Sequence, residues 1–446
     1  MRTPRPARRR RVLLPALLTS GVLLLGGAVA AIGAPPEEPG VVSPGVDAQD
    51  WRPVLAGDAV NVQVAGGAAR LASPRAGERP GSLRGAQRRG FLDLGTHTFG
   101  RPVNRLAVPV VADVPGGSAV AVDVRGRDDA GRWSEWTAAA PGVPAVLDAP
   151  VRTVALRLTL VAPASAAGPA GGADGPTVRS VTVHADRDGS VSREVAPPAS
   201  YRVFATREGL VGGTTANGHV ITEDDLFVAL PSRRALAAED SGDYTVRVCG
   251  PSGRCAIVPV WDVGPWNVGD DYWNAAPPRE QWGDLPQGRP QAQAAHDDGY
   301  HDGEDGFGRE VGNPAGIDLA DGVFAAVGLE DNGWVTVDYL WTGHAGEDPA
   351  AVHLATADSP EGPVTIRASP SSAAADAGVV GDAARVEVQC RAPGEPVDGS
   401  RGDDADWLRI ATIPATAEAP AGVGWVPAAS MAMEGTDAAQ PPAPAC

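Results

Sequence analysis

The sequence predicts an all-β protein divided into several modules, and two observations carry that expectation. The first is period-two apolarity. Val120, Val122 and Val124 alternate with Ala121, Asp123 and Arg125, and Val154, Leu156 and Leu158 alternate with Ala155, Arg157 and Thr159. Apolar residues at every second position line one face of a strand and bury it, leaving the polar face to solvent. The second is punctuation: 56 Gly and 42 Pro break the 446-residue chain into short runs, at a length that suits about three domains.

The elements follow in chain order. Six arginines (Arg2, Arg5 and Arg8 to Arg11) precede an uncharged Leu/Val/Ala-rich run from Val12 to Ala34, with Ala28-Val29-Ala30 near its end. A basic start, an apolar stretch and small residues form the pattern of a secretory signal peptide. Residues 1–34 are therefore read as a cleaved signal, with an uncleaved membrane anchor as the alternative. Residues 35–50 read as a Pro/Gly/Glu spacer. Residues 51–187 read as a β-sandwich, with Trp133-Ser134-Glu135-Trp136 as two aromatics packed at a core edge, or else offered to a sugar. Residues 188–200 are a second linker.

Composition limits the partners. The chain has no Lys, so all 37 basic residues are Arg, and loss of the six N-terminal arginines takes the net charge from −18 to −24. An exported chain this acidic is repelled by phosphate-rich surfaces. No nucleic-acid partner is expected, and no membrane contact beyond the N-terminal segment. The Arg-only, Ala/Gly/Pro-rich usage reads as a high-GC codon bias and points to an actinobacterial source. Four cysteines outside the cytoplasm suit two disulfides. Cys249 and Cys255 flank Gly-Pro-Ser-Gly-Arg between two apolar strands, and such a hairpin brings them within bonding reach. A monomer without cofactor or metal is expected. The acidic stretch from His296 to Glu310 lacks calcium-loop spacing and reads as a solvated loop.

Residues 201–341 carry the informative pattern. Thr215-Ala216-Asn217-Gly218 comes first, followed by Ala229-Leu230-Pro231 and then Asp262-Val263-Gly264-Pro265. Ile317-Asp318-Leu319-Ala320 comes last, before a short helix stopped at Gly328. This order resembles the double-psi β-barrel of rare lipoprotein A, and more loosely expansins and the three-aspartate domain of lytic transglycosylases. The resemblance implies a glycan-holding groove lined by Asp262 and Asp318, which would be the catalytic pair if the groove cleaves. A functional His of rare lipoprotein A falls near Phe227 here, and His219 stands nearby. From the residues alone, Asp318 also suits a helix N-cap and Asp262 a turn brace. The insertion 266–312 is longer than the family's. Trp261, Trp266, Tyr272 and Trp273, with Asn217 and His219, are the expected sugar contacts, because aromatic rings stack on apolar sugar faces; the alternative is that some of these rings cover the barrel end as core.

Residues 342–381 read as an Ala/Pro/Ser/Asp linker with one strand near Val364-Thr365-Ile366. Val386 to Cys390, Gly394 to Gly399, Trp407 to Ile410 and Gly424 to Pro427 then resemble the bacterial Src-homology-3-like barrel, which would span 382–446. That resemblance implies a C-terminal tail stapled back by Cys390–Cys446. The sandwich, for its part, resembles jelly-roll modules of bacterial surface proteins. Gly-x-Ser-x-Gly, a phosphate loop and a Cys/His nucleophile pair are missing. The expected function is binding of cell-wall glycan or another polysaccharide, with glycan cleavage or a non-enzymatic scaffold as alternatives.

Overall fold

The computed structural model describes residues 48–72, 87–163, 175–190, 196–275, 279–343, 353–411, 424–434 and 443–446. The expected export segment and all but the last three residues of the 35–50 spacer lie outside this set. Strands hold 51% of the described residues and helices 8%, in line with the all-β expectation. Among the described residues no helix is long and apolar enough to cross a membrane.

The N-terminal part is built from a seven-stranded and a four-stranded sheet. The larger one centres on β1 (Gln87–Ala107), β2 (Ala119–Arg127) and β3 (Ala145–Pro163), with β3 antiparallel to both neighbours. Leu92, Val122, Val124, Leu156, Leu158 and Leu160 point into the core between the sheets. The alternation correctly marks that face, but the opposite face is not open to solvent. Ala155, Trp133 and Trp136 belong to the core of the next part of the chain. The Arg125 guanidinium lies 4.4 Å from the Trp133 ring centre and 4.7 Å from that of Trp136. It also donates to the Tyr244 hydroxyl at 3.2 Å.

The central part is a closed ring of six strands: β4 (Ala199–Arg207), β5 (Val228–Leu230), β6 (Thr245–Cys249), β7 (Cys255–Val263), β8 (Ala315–Leu319) and β9 (Gly333–Tyr339). Around the ring β4 pairs with β9, β9 with β6, β6 with β7, β7 with β5, β5 with β8, and β8 with β4. The β4–β8 and β5–β7 pairs are parallel and the other four antiparallel. Closure leaves no free strand edge within the ring. Val203, Phe227, Val246, Val258, Ile317, Val335 and Val337 fill the interior. Cys249 stands opposite Cys255 in the β6–β7 hairpin, and the two are bonded.

The insertion after Trp266 is folded rather than a loose excursion. It contains α1 (Gln291–Asp298), and the buried Asp305 accepts from the Phe307 and Arg309 backbone amides at 2.8 and 2.9 Å. The helix after β8 is α2 (Asp321–Ala326), ending at Gly328 with φ +76°.

The stretch 342–381, expected as linker, carries three strands: β10 (His353–Ala357), β11 (Val364–Arg367) and β12 (Asp376–Val380). With β13 (Arg385–Gly399), β14 (Gly402–Ile410), β15 (Gly424–Pro427) and β16 (Met431–Met433) they enclose a core of Ala355, Val364, Ile366, Val380, Val386, Leu408 and Val426. Short runs of Ala and Ser among these apolar residues conceal the strands in the sequence. β12 pairs in parallel with β7 through Ala256–Val379 and Ile257–Val380. One sheet therefore runs from the ring into the C-terminal part. Cys390 is bonded to Cys446, whose amide donates to the Arg391 carbonyl at 2.9 Å.

Candidate functional site

Ala229 of β5 is in register with Asp262 on the β7 side and with Asp318 on the β8 side. Residues level with one another on neighbouring strands project to the same face. The two carboxylates therefore converge at one rim of the ring. Asp318 is a strand residue, and the residue capping α2 is Ala320. Capping thus does not account for Asp318.

β4 completes the site. Thr206 is level with Asp318, and its hydroxyl donates to Asp318 Oδ1. Glu208, just past the end of β4, lies beside the pair: Asp262 and Asp318 both act on it electrostatically, and its buried Oε2 has no hydrogen-bond partner among the described residues. Burial first, and then Asp262, raise Glu208 to about 9. At neutral pH Glu208 therefore keeps its proton. Burial raises Asp318 to about 6, with the Thr206 hydroxyl pulling against the shift. Asp262 Oδ1 accepts from the Val263 amide at 2.7 Å and the Ala216 amide at 2.8 Å. It braces its own turn, as the sequence allowed, and pins the 209–221 loop to the rim. A Cβ at Gly264 would stand 3.3 Å from Asp318 Oδ2, so a side chain there would crowd the cluster.

The expected sugar contacts divide. Trp261 is 5% exposed and donates to the Ser241 carbonyl at 3.1 Å. Tyr272 is fully buried, and its hydroxyl donates to the Gly316 carbonyl at 2.9 Å and meets that of Tyr339 at 2.6 Å. Trp273 is 1% exposed, stacks on Tyr339 and donates to Glu135 of the sandwich at 2.7 Å. These three rings are core and offer almost no surface to a ligand. Trp266 is half-buried and donates to Asn313 Oδ1 at 3.0 Å. Asn217 and His219 sit on the loop that reaches Asp262. The Asn217 backbone amide donates to the Trp261 carbonyl at 3.3 Å, and the buried Asn217 Nδ2 has no partner among the described residues. His219 is 2.7 Å from Asp225 and its ring centre is 4.8 Å from that of Trp261.

Glu208 is the residue that sequence reasoning missed. Its one signal is position: Thr206 and Glu208 continue the alternation of β4 with polar groups at the strand end.

Residues 199–338 match the model of a family described as a domain of unknown function (DUF8814). That span runs from the first residue of β4 almost to the end of β9 and takes in all three carboxylates. No curated protein matches the chain.

Proposed function

We propose that the six-stranded ring is a double-psi barrel of the rare-lipoprotein-A and expansin kind, exported to act on a cell-wall glycan or related polysaccharide, and that its carboxyl cluster cleaves the chain. The observation carrying this reading is the convergence of Glu208, Asp262 and Asp318 from the ends of β4, β7 and β8 at one rim, with the proton retained at Glu208. A glycosidic bond breaks when its bridging oxygen is protonated as positive charge builds on C1. Glu208 gives the proton, and the C1–O electron pair leaves with the oxygen. The neighbouring carboxylates face the cationic carbon. A hydroxyl, from water or from the sugar itself, then adds to C1 and returns its proton to Glu208. A carboxyl kept protonated at neutral pH beside Asp318, which burial raises only to about 6, is the division of labour this chemistry requires.

Retention without turnover is the second reading. Its aromatic platform is weakened by the burial of Trp261, Tyr272 and Trp273. It keeps the support of Leu210, Val211 and Val220, which are 62%, 48% and 59% exposed on the loop beside Glu208. The C-terminal part, read as a Src-homology-3-like barrel, would add a second wall contact in either case.

The test is incubation of the purified chain with sacculi and with soluble polysaccharides, followed by mass spectrometry of released fragments. Wild type should release them, and Glu208→Gln should stop release while still sedimenting with the sacculi. Sedimentation without fragments from wild type would replace cleavage by retention. With neither, the glycan reading fails.

A further inference from the structure

Among the described residues three arginines are buried, each meeting a carboxylate, while Arg233 is half-buried. Arg234 is 2.9 Å from Asp271, Arg247 is 2.7 Å from Asp338 and Arg279 is 2.6 Å from Asp270. Arg233 differs. Among the described residues its guanidinium has no ion pair and no hydrogen bond, and it lies 4.9 Å from the ring centre of Phe91 on the sandwich strand β1. Its backbone is fixed on both sides. The amide donates to the Val268 carbonyl at 3.3 Å, and the carbonyl accepts from Arg157 Nη1 at 2.8 Å.

The location is specific. Arg233 follows the end of β5, where Leu230 is in register with Val263 and its carbonyl accepts from the Gly264 amide at 3.1 Å. This places it at the same rim as the carboxyl cluster, and Asp262 is the one carboxylate acting on it. Burial and the neighbouring Arg157 together push Arg233 below the usual arginine range despite Asp262. Its positive charge is thus under-compensated, although an arginine keeps its proton at any physiological pH.

We propose that Arg233 is a substrate-binding residue that pairs with a carboxylate on the polysaccharide, so that the chain engaged at the Glu208 rim is an acidic one. This rests on the glycan reading above. A guanidinium lying on an aromatic ring keeps its N–H edges free, and their fork matches a planar carboxylate. A neutral hydroxyl would satisfy the hydrogen bonds but leave the charge uncompensated. The sandwich then has a part in recognition, because Phe91 lies against the cation and Arg157 fixes the backbone that carries it. The net charge of −18 disfavours unspecific attraction of a polyanion, so recognition depends on this one residue.

The full-length protein would be titrated calorimetrically with an oligogalacturonate and with a neutral cello-oligosaccharide of equal length. Thermal melts would confirm that each variant is folded. Wild type should favour the acidic oligomer by about tenfold, the scale of one charge-assisted pair. Arg233→Gln should abolish that preference, and Arg233→Lys should restore part of it. An undiminished preference in Arg233→Gln, a wild-type preference for the neutral oligomer, or stronger binding of a phosphorylated oligomannoside than of the galacturonate would each overturn the assignment. If only the neutral oligomer binds, this proposal fails and the glycan reading stands. If no oligomer binds and sacculi release nothing, both fail.

Discussion

Asp262 and Asp318 face each other across a single residue, Ala229, with one of them on each flanking strand. Two strand spacings separate their backbones by about 10 Å, and Glu208 enters from the next strand with its proton. The arrangement is a property of closing the ring through the parallel β4–β8 and β5–β7 pairs, which bring three strand ends to one rim.

Thr206→Val tests how that rim is tuned. The Thr206 hydroxyl lowers Asp318 against the burial that raises it to about 6. Without the donor, Asp318 should titrate higher still, so it should hold its proton at a pH where wild type has lost it. Carbon-detected NMR titration of the side-chain carboxyls reads this directly, and an unmoved Asp318 would remove Thr206 from the site.

Glu208→Gln should stabilise the fold at alkaline pH. The folded chain holds the Glu208 proton up to about 9, against an ordinary value of 4.5. Within that window the unfolded state has released a proton that the folded state keeps, so stability falls as pH rises. Glutamine abolishes this dependence. The gain should be about 1–2 kcal/mol at pH 8–9, allowing for solvent at a part-exposed group, and near zero at pH 4. Denaturant melts at the two pH values measure it.

Arg125→Leu should uncouple the sandwich from the ring. The guanidinium sits between Trp133 and Trp136, bonds Tyr244 and pairs with Asp243 at 3.4 Å. Its loss should cost about 2–4 kcal/mol. A single denaturant transition in wild type should become two. One unbroken transition in the variant would show that the contact does not join the parts.

Cys446→Ser should loosen the C-terminal part alone. The Cys390–Cys446 bond closes a loop of sequence separation 56, which on chain-entropy grounds contributes about 4 kcal/mol. Non-reducing peptide mapping of wild type should recover Cys249 with Cys255 and Cys390 with Cys446. The variant should melt earlier only in signals from Trp407 and Trp425.

The strands are legible in the sequence wherever alternation is long, as at Val120 to Arg125. They vanish where Ala and Ser dilute it, as in the 353–380 region. Asp262 and Asp318 stand out in the sequence because each sits in a short motif, Asp-Val-Gly-Pro and Ile-Asp-Leu-Ala, whose order along the chain carries the resemblance. Glu208 is not, since no local spacing ties it to residues on β7 and β8. The aromatic residues mislead for a related reason. Trp266 and Trp273 lie in the same insertion with similar neighbours, yet Trp273 is sealed by Glu135 from the sandwich, a contact set by tertiary packing alone. Arg233 is likewise one arginine in a pair until Phe91 and Asp262 are placed beside it.

The parallel pairing of β7 with β12 affects how the molecule bears load. Tension applied at the C-terminus reaches the strand carrying Asp262 through backbone hydrogen bonds lying crosswise to the pull, which must shear together rather than unzip one at a time. A protein anchored at one end and gripping a polymer at the rim would transmit strain along β7 to its own carboxylates. Loss of β12 would uncover that edge of β7 and invite another strand to fill it. These parts therefore work as a single mechanical piece, whatever the number of cores into which they are divided.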